Sequence, residues 1–303
     1  WVRANASPGA GERGAPMSRA ALLWCLALGA VLALVTTLPF LYAFERQGAD
    51  MRFTGSLLAV EDGNSYIAKM RAGAEGEWLF RSPFTAVPQA GIPAFLFYIL
   101  LGKLAQGPGM HVQLVALLHA ARVLGIFLVV WATYRFAARF LAEERWRRWA
   151  TIVSVAGGGL GWLVIAAGRT ELLGTQPLEL YSPETFGFLA LLTFPHLLLA
   201  RALLLLGLDA YLEAGRESHA ASRASVWLAL LVLTQPLSLG AAVAAIGMHQ
   251  LLGIARRVTR REGRPVEWGR VRPALVALAL PAALAAGYAL LLRTDPFVRS
   301  WAS

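Results

Sequence analysis

Two neighbouring carboxylates, Glu61 and Asp62, lie in a polar segment, residues 45–91, that interrupts an otherwise apolar chain. Long connections of this kind are usually functional. A carboxylate there can take a proton from an acceptor hydroxyl as a general base. It can also bind a divalent cation, because hard cations prefer oxygen ligands. Both acids can equally be solvated or cap a helix, and Asp62 before the helix-like run 65–72 fits a cap.

Basic residues in and near the same segment could bind a phosphate group. Arginine presents a fork of donors that matches phosphate oxygens. Arg122 is the strongest candidate, because an ionisable residue inside a span is costly and usually faces a cavity or a partner. Each of the others alone is better explained as an interfacial side chain. The candidates are Lys69, Arg71, Arg81, Lys103, Arg122 and Arg293.

A histidine and a carboxylate further along the chain are also candidates for substrate binding. His196 follows Pro195 inside a hydrophobic stretch, where it could contact substrate or relay a proton. A bond to a neighbouring carbonyl explains this histidine at least as well. Glu184 could supply a second carboxylate, but beside Pro183 it could equally start a helix. We predict no metal ligand by residue, and the cofactor that the acids suggest is a divalent cation, Mg²⁺ or Mn²⁺.

The composition is typical of a polytopic membrane protein. Hydrophobic residues make up 57% of the chain and charged residues 15%, against about a quarter charged in soluble domains. The formal net charge of +10 comes from arginines that lie between hydrophobic segments. This placement indicates the positive-inside bias rather than nucleic-acid binding, and anionic membrane lipid is a further partner of such residues. Cys25 is the single cysteine, which excludes a disulfide within the chain.

Hydrophobic stretches of about 20 residues predict the spanning helices. Residues 224–254 are too long for one span and are interrupted at Pro236, which predicts a hairpin of two helices. Residues 92–105 would rise about 21 Å as a helix, less than the roughly 30 Å hydrocarbon core, so we predict a re-entrant or interfacial helix. The glycine run 157–161 is expected inside a helix, where glycine allows close packing. The remaining predicted spans are 20–44, 112–134, 149–167, 185–208 and 273–292.

The arginine clusters then predict the topology. Clusters follow the spans 112–134 and 185–208 and precede the last span, and the third includes Arg260, Arg261 and Arg264. All three are cytoplasmic if residues 92–105 return to the side they left. We therefore predict an all-α bundle of about seven spans in the plasma membrane, with a cytoplasmic N-terminus. Residues 1–16 are predicted to be a disordered leader, 17–303 a transmembrane domain, and 45–110 its first extracytoplasmic loop.

The polar segment resembles the first extracytoplasmic loop of the GT-C superfamily of membrane glycosyltransferases. Asp62 is followed four residues later by Tyr66, then by the small residue Ala68, and then by Gly76-Glu77-Trp78. Gly63 replaces the glutamate that usually follows the aspartate in these enzymes, and an acid precedes it instead, at Glu61. The proline-led aromatic run 93–102 and the turn Leu233-Thr234-Gln235-Pro236 are also similar, with Gln235 in place of lysine.

The resemblance implies an enzyme like the dolichyl-phosphate-mannose-protein mannosyltransferases. It would transfer a sugar from a polyprenyl-phosphate-linked donor to an acceptor hydroxyl at the extracytoplasmic face. Asp62 and Glu61 would be the catalytic residues, and the chain would be a C-terminally truncated copy. The substrate-binding residues would be Tyr66, Lys69, Arg71, Arg122, Glu184, His196 and Arg293.

A transporter, a flippase-like protein or a non-catalytic membrane protein on the same scaffold is the alternative. Transporters contain broken helices near the bilayer midplane, usually within internal repeats. Pro195 and Pro236 supply such breaks, but the sequence has no evident repeat to accompany them.

Overall fold

The computed structural model describes residues 17–48, 50, 52–82, 85–171, 173–217, 219–259 and 268–302. The predicted leader, residues 1–16, lies outside the described residues. So do three arginines of the third predicted cluster, Arg260, Arg261 and Arg264.

The described residues form α-helices and short 3₁₀ turns without a strand, and 72% of the chain is helical, which confirms the all-α class. The helices are α1 (Arg19–Glu45), α2 (Val60–Ala74), α3 (Leu96–Gly102), α4 (Met110–Ala137), α5 (Glu144–Ala156), α6 (Gly161–Ala166), α7 (Gly187–Leu192), α8 (Pro195–Glu213), α9 (Ala220–Thr234), α10 (Leu239–Thr259), α11 (Trp268–Thr294) and α12 (Pro296–Ala302).

Five segments in the described part of the chain are long and apolar enough to cross a membrane, where the sequence predicts about seven spans. They lie in α1, α4, α8, α10 and α11. The predicted break near Pro236 is confirmed, since α9 ends at Thr234 and α10 begins at Leu239. Residues 92–105 contain only the seven-residue helix α3, and its re-entrant or interfacial placement stays a prediction.

The prediction of one continuous helix over residues 149–167 is wrong. Helix α5 ends at Ala156 and α6 begins at Gly161. Glycine has a low helix propensity, and the space beside this turn is occupied by the carboxylate of Glu179, which a Cβ on Gly159 would overlap. The same carboxylate accepts a hydrogen bond from the backbone N–H of Gly161. The glycine run therefore accommodates a loop side chain instead of continuing a helix.

The predicted span 185–208 is also divided. Helix α7 ends at Leu192 and α8 begins at Pro195. Proline has no N–H to continue the helical hydrogen bonds, and it disfavours helical geometry at the preceding residue, Phe194. The predicted helix break at this proline is confirmed, and it separates the short α7 from the longer α8.

The chain divides into two compact units, of which the first comprises residues 1–59 and 122–198. Its α1 begins after Ser18, whose Oγ accepts a hydrogen bond from the N–H of Ala21 at 3.1 Å, as an N-cap. A Cβ on Gly29 would lie 2.5 Å from the ring of Phe127, so this glycine allows α1 and α4 to approach closely. The buried side chains of this unit include Leu32, Phe40, Ile126, Val130 and Leu191.

The second unit comprises residues 60–121 and 199–303. Its core lies where α8, α9, α10 and α11 meet. Small residues allow helices in lipid to come close enough for extensive van der Waals contact, which drives their association. The core contains the large side chains Leu203, Leu228, Leu231 and Ile246 beside the alanines Ala224, Ala242 and Ala277.

Helices α2 and α3 of the second unit are in direct backbone contact. A Cβ on Gly73 of α2 would overlap the carbonyl oxygen of Ile99, and a Cβ on Gly102 of α3 would overlap that of Met70. Both obstacles are backbone atoms, so no side-chain rotation can relieve either overlap. Two glycines, one on each helix, are therefore required for this contact.

We expect Gly73→Ala to separate α2 from α3 and to lower the thermal unfolding temperature of the purified protein. The matched control is Gly240→Ala in α10, where a Cβ meets nothing within 4 Å. That control should leave the unfolding temperature unchanged or raise it, because alanine favours a helix by about 1 kcal/mol over glycine. Equal unfolding temperatures for the two variants in detergent would show that the contact of α2 with α3 is not required.

Candidate functional site

The predicted catalytic acids lie in the first turn of α2. The helix begins at Val60, directly after Ala59, whose φ of 47° interrupts the regular backbone. Both Glu61 and Asp62 are exposed there. The expected capping role of Asp62 is wrong, because the helix starts earlier than predicted and includes this residue. Negative charges in the first turn are favourable beside the positive end of the helix dipole.

The Gly76-Glu77-Trp78 run ends the same helix. Gly76 has a φ of 104°, and its N–H donates to the carbonyl of Gly73 at 3.1 Å while that of Glu77 donates to Ala72 at 3.0 Å. This pair of bonds is the Schellman motif, which requires a left-handed residue and therefore favours glycine. Trp78 then lies against the residue that follows α3, since the Lys103 ammonium is 4.0 Å from the centre of its ring.

Asp62, Tyr66 and Lys69 share one face of α2. Residues four and seven positions apart lie on the same side of a helix, and the Asp62 carboxylate interacts electrostatically with the Lys69 ammonium. The ring of Tyr66 stacks on that of Tyr98 in α3, with centroids 4.2 Å apart and planes inclined by 10°. The contact with α3 therefore orients this face of α2.

The Lys69 side chain is enclosed, with 8% of its surface exposed. Its Nζ donates to Ser65 Oγ at 2.5 Å. The same Nζ lies 4.2 Å from the ring centre of Phe95, 5.2 Å from Tyr66 and 5.3 Å from Phe80, distances at which an aromatic face attracts a cation. We call these three rings the aromatic cage. Burial lowers the pKa of Lys69, and the negative charge of Asp62 opposes that shift.

Local backbone features position two rings of the aromatic cage. Phe95 has a φ of 54°, an uncommon value for a residue with a side chain, and α3 follows directly. Phe80 exchanges backbone hydrogen bonds with Ile92 at 2.8 and 3.0 Å. A left-handed non-glycine residue costs roughly 1–3 kcal/mol and is found preferentially at functional sites. Phe95 therefore holds a strained backbone conformation beside the Lys69 ammonium.

The second unit contains two further predicted substrate-binding residues, Arg71 and Arg293. Arg71 is exposed and pairs with Glu75 at 2.8 Å. Arg293 is exposed in the last turn of α11. Among the residues that the structure describes, no three His, Cys, Asp or Glu side chains form a group that could hold a metal ion.

Arg122 belongs to the first unit and is completely buried. One guanidinium nitrogen, Nη1, donates to Thr36 Oγ1 and to the carbonyl of Leu191, both at 2.9 Å, while Nη2 donates to Thr37 Oγ1 at 2.9 Å. The guanidinium also lies 4.8 Å from the ring centre of Phe40. These contacts join α4 to α1 and to the end of α7, and the predicted phosphate-binding role of Arg122 stays a prediction.

The bond to Leu191 has a specific cause. In an uninterrupted helix the carbonyl of Leu191 would accept from the N–H of residue 195, but that residue is Pro195, which has no N–H. A buried carbonyl without a donor is unfavourable, and lipid supplies none. The Arg122 guanidinium replaces the missing donor, so the arginine and the proline act as a pair.

The two remaining predicted residues also belong to the first unit. His196 is the second residue of α8, is 6% exposed, and stacks on Phe194 with ring centroids 6.0 Å apart. Glu184 is exposed in a turn and does not start a helix, since α7 begins at Gly187. Asp62 and Arg122 fall in different units.

Sequence reasoning assigned no role to two further residues of the second unit, Ser65 and Asp295. Ser65 lies four positions before Lys69, a helical spacing that could have signalled their bond. Asp295 is 3% exposed; its Oδ1 accepts from the N–H of Phe297 at 2.9 Å, and its Oδ2 accepts from that of Ala90 at 3.2 Å. The Asp295-Pro296 pair at the start of α12 is a readable capping signal. No sequence signal indicated the bond between Asp295 and Ala90.

The lowered pKa of Lys69 predicts a pH dependence of stability. Between that pKa and the ordinary lysine value of about 10.4, the folded state binds fewer protons than the unfolded state, so stability rises with pH. We expect the unfolding temperature of the wild-type protein to rise in this alkaline interval and that of Lys69→Met to lack the rise. Lys103→Met, which removes the other lysine of the chain, is the control and should retain it. The same rise in Lys69→Met as in the wild type would assign the titration to another group.

The pairing of Arg122 with Pro195 predicts a coupling between two substitutions. Arg122→Met removes the donors to Leu191, Thr36 and Thr37, and should lower the free energy of unfolding by roughly 2 kcal/mol, the scale of one hydrogen bond to a charged group. In the Pro195→Ala variant the N–H at position 195 can bind the carbonyl of Leu191. Arg122→Met should therefore lower the free energy of unfolding by about 1 kcal/mol less in that variant than in the wild type. Denaturant unfolding of the four proteins measures this coupling, and strictly additive losses would contradict it.

No protein-family model, no curated protein and no solved structure matches the chain. The resemblance to the GT-C superfamily therefore depends on the motif residues alone. The structural basis for a proposal of function is the face of α2 that carries Asp62, Tyr66 and Lys69.

Proposed function

We propose that the chain transfers a sugar from a polyprenyl-phosphate-linked donor to an acceptor hydroxyl, with Asp62 as the general base. The observation that carries the proposal is the α2 face, where Asp62 is exposed beside Tyr66 and the enclosed Lys69 ammonium. An exposed carboxylate can receive an acceptor, and its buried neighbours are held in place by contacts with α3. The extracytoplasmic location of this face is part of the proposal.

The reaction requires one proton acceptor and one leaving group. Asp62 takes the proton from the acceptor hydroxyl, and the acceptor oxygen then forms a bond to the anomeric carbon of the donor sugar. The bond between that carbon and the phosphate oxygen breaks, and its electrons leave with the polyprenyl phosphate. Base catalysis of this kind typically contributes 10²–10⁴-fold to the rate.

Lys69 is the basic residue that we assign to the support of the ionised Asp62 carboxylate. Its ammonium interacts with Asp62, and the aromatic cage limits its movement. The half-buried ring of Tyr66, stacked on the buried ring of Tyr98, offers an apolar surface on the same helix as the acid, which suits one face of a sugar ring or a lipid chain. Arg122 is omitted from this assignment because its donors already bind Thr36, Thr37 and Leu191.

Transport is the second candidate function, favoured by the two helix breaks in the first unit, after Ala156 and after Leu192. Transporters bind ions on carbonyls freed at such breaks. The freed carbonyl of Leu191 is bonded to Arg122, which disfavours an ion at that position. Sugar transfer is therefore the first choice.

Asp62→Asn is expected to reduce sugar transfer at least about 100-fold, the lower end of the range for loss of a general base. The amide has nearly the same shape but cannot take the proton, and the loss of one exposed charge in the first turn of α2 should lower the unfolding temperature only slightly. The assay incubates the purified full-length protein with a polyprenyl-phosphate sugar and an acceptor, and follows acceptor-dependent release of the lipid phosphate.

Glu61→Gln is the matched control, since it removes a neighbouring exposed carboxylate of the same turn. It should retain most of the activity. Wild-type rates in Asp62→Asn, or equal losses in both variants, would contradict the role of Asp62 as the base. Accumulation of an intact substrate inside sealed proteoliposomes, without release of lipid phosphate, would favour the transporter instead.

A further inference from the structure

Helix α5 presents two opposite faces. Thr151 and Val155, four positions apart, are buried. Trp146, Trp149 and Val153 lie on the other side of the helix and are 50%, 57% and 65% exposed. These three residues, which we call the α5 outer face, follow the three- and four-residue spacing of a helical surface stripe.

The buried face of α5 is already occupied within the first unit. It packs on α7, and a Cβ on Gly187 would lie 2.5 Å from the carbonyl oxygen of Val155 and 2.7 Å from that of Ser154. Any further partner of α5 must therefore bind the outer face.

The length and the position of α5 confine it near the membrane surface. Thirteen residues rise about 20 Å as a helix, less than the roughly 30 Å that a span requires. Six residues connect it to the end of α4, which is a candidate membrane span, and such a link reaches at most about 20 Å when fully extended. An amphipathic helix held this close to a bilayer suits its interfacial region.

The charges around the α5 outer face favour lipids with anionic headgroups. Residues 135–148 contain five arginines and two glutamates, Glu143 and Glu144. These two acids pair with Arg145 and Arg148. Arg147 donates instead to the carbonyls of Leu141 and Ala142 at 2.7 and 2.9 Å, neutral groups that leave its charge in place. The segment is therefore positive overall, which complements anionic headgroups.

We propose that the α5 outer face inserts its tryptophans at the headgroup level of a bilayer leaflet, and that the adjacent arginines bind anionic lipid there. Tryptophan is enriched at this depth because its ring is apolar and its N–H is polar. The site is independent of sugar transfer. Its position in the fold is the end of α4, the six-residue connection and α5.

Spin labelling tests the insertion, and the chain is convenient for it because Cys25 is the single cysteine. In a Cys25→Ala background, nitroxides are attached in turn to Trp149→Cys, Val153→Cys and Ser154→Cys in nanodiscs of phosphatidylcholine and phosphatidylglycerol. Labels at 149 and 153 should collide mainly with oxygen, at a depth of about 5–10 Å. The label at exposed residue 154, off the outer face, should collide more with a water-soluble nickel chelate.

Three outcomes of this experiment overturn the insertion. Nickel collision at 149 and 153 as high as at 154 would place the outer face in water. Low collision with both reagents would mean that protein covers the α5 outer face. Spin–spin coupling between labels would identify that protein as a second copy of the chain.

Native mass spectrometry of the full-length protein tests the choice of lipid. Arg135→Gln combined with Arg145→Gln should weaken retention of phosphatidylglycerol about five-fold for each arginine removed, relative to phosphatidylcholine. Arg216→Gln combined with Arg223→Gln removes the same charge from the second unit and should weaken it less. If the two double variants lose phosphatidylglycerol retention equally, the lipid preference depends only on the net charge of the protein, and the proposed site is contradicted.

Discussion

Backbone polar groups at helix breaks must find donors or acceptors inside this protein, because lipid offers none. The carbonyl of Leu191, freed by Pro195, is bonded to Arg122. The N–H of Gly161, where α6 begins, is bonded to Glu179. The charge of the completely buried Arg122 is costly in apolar surroundings, and it is retained where the chain needs a long-reaching donor. The same requirement explains why an arginine inside a span need not mark a substrate site.

The α2 face depends on a different constraint, which is steric. Gly73 and Gly102 allow two backbones to touch, and this contact brings Tyr98 and Phe95 to Tyr66 and Lys69. The lysine gains attraction from three rings and one hydroxyl, while burial works against its charge. Asp62 remains exposed at the start of the same helix. The result is an accessible acid at the start of a helix whose next turns are packed against α3.

Several features of the molecule were readable from local sequence. The all-α class follows from hydrophobic runs of spanning length, and the breaks at Pro195 and Pro236 follow from the missing proline N–H. The stop of α2 was readable at Gly76, because a left-handed position after a helix favours glycine. The start of α2 was not readable, since Ala59 is not a residue type that caps helices, whereas Asp62 is one but lies inside the helix. The glycine run 157–161 failed as a helix because Glu179, distant in sequence, occupies the space beside it.

The sequence by itself determined which segments are apolar, where prolines interrupt them, and that Tyr66 and Lys69 share a helical face, because these properties depend on neighbours within a few residues. Only the tertiary structure decided what each charged group contacts. Arg122 meets Thr36, Thr37 and Leu191, Lys69 meets Phe80 and Phe95, and Asp295 meets Ala90. These pairings join residues that are distant along the chain, and they form because buried polar groups must be satisfied wherever packing brings a partner.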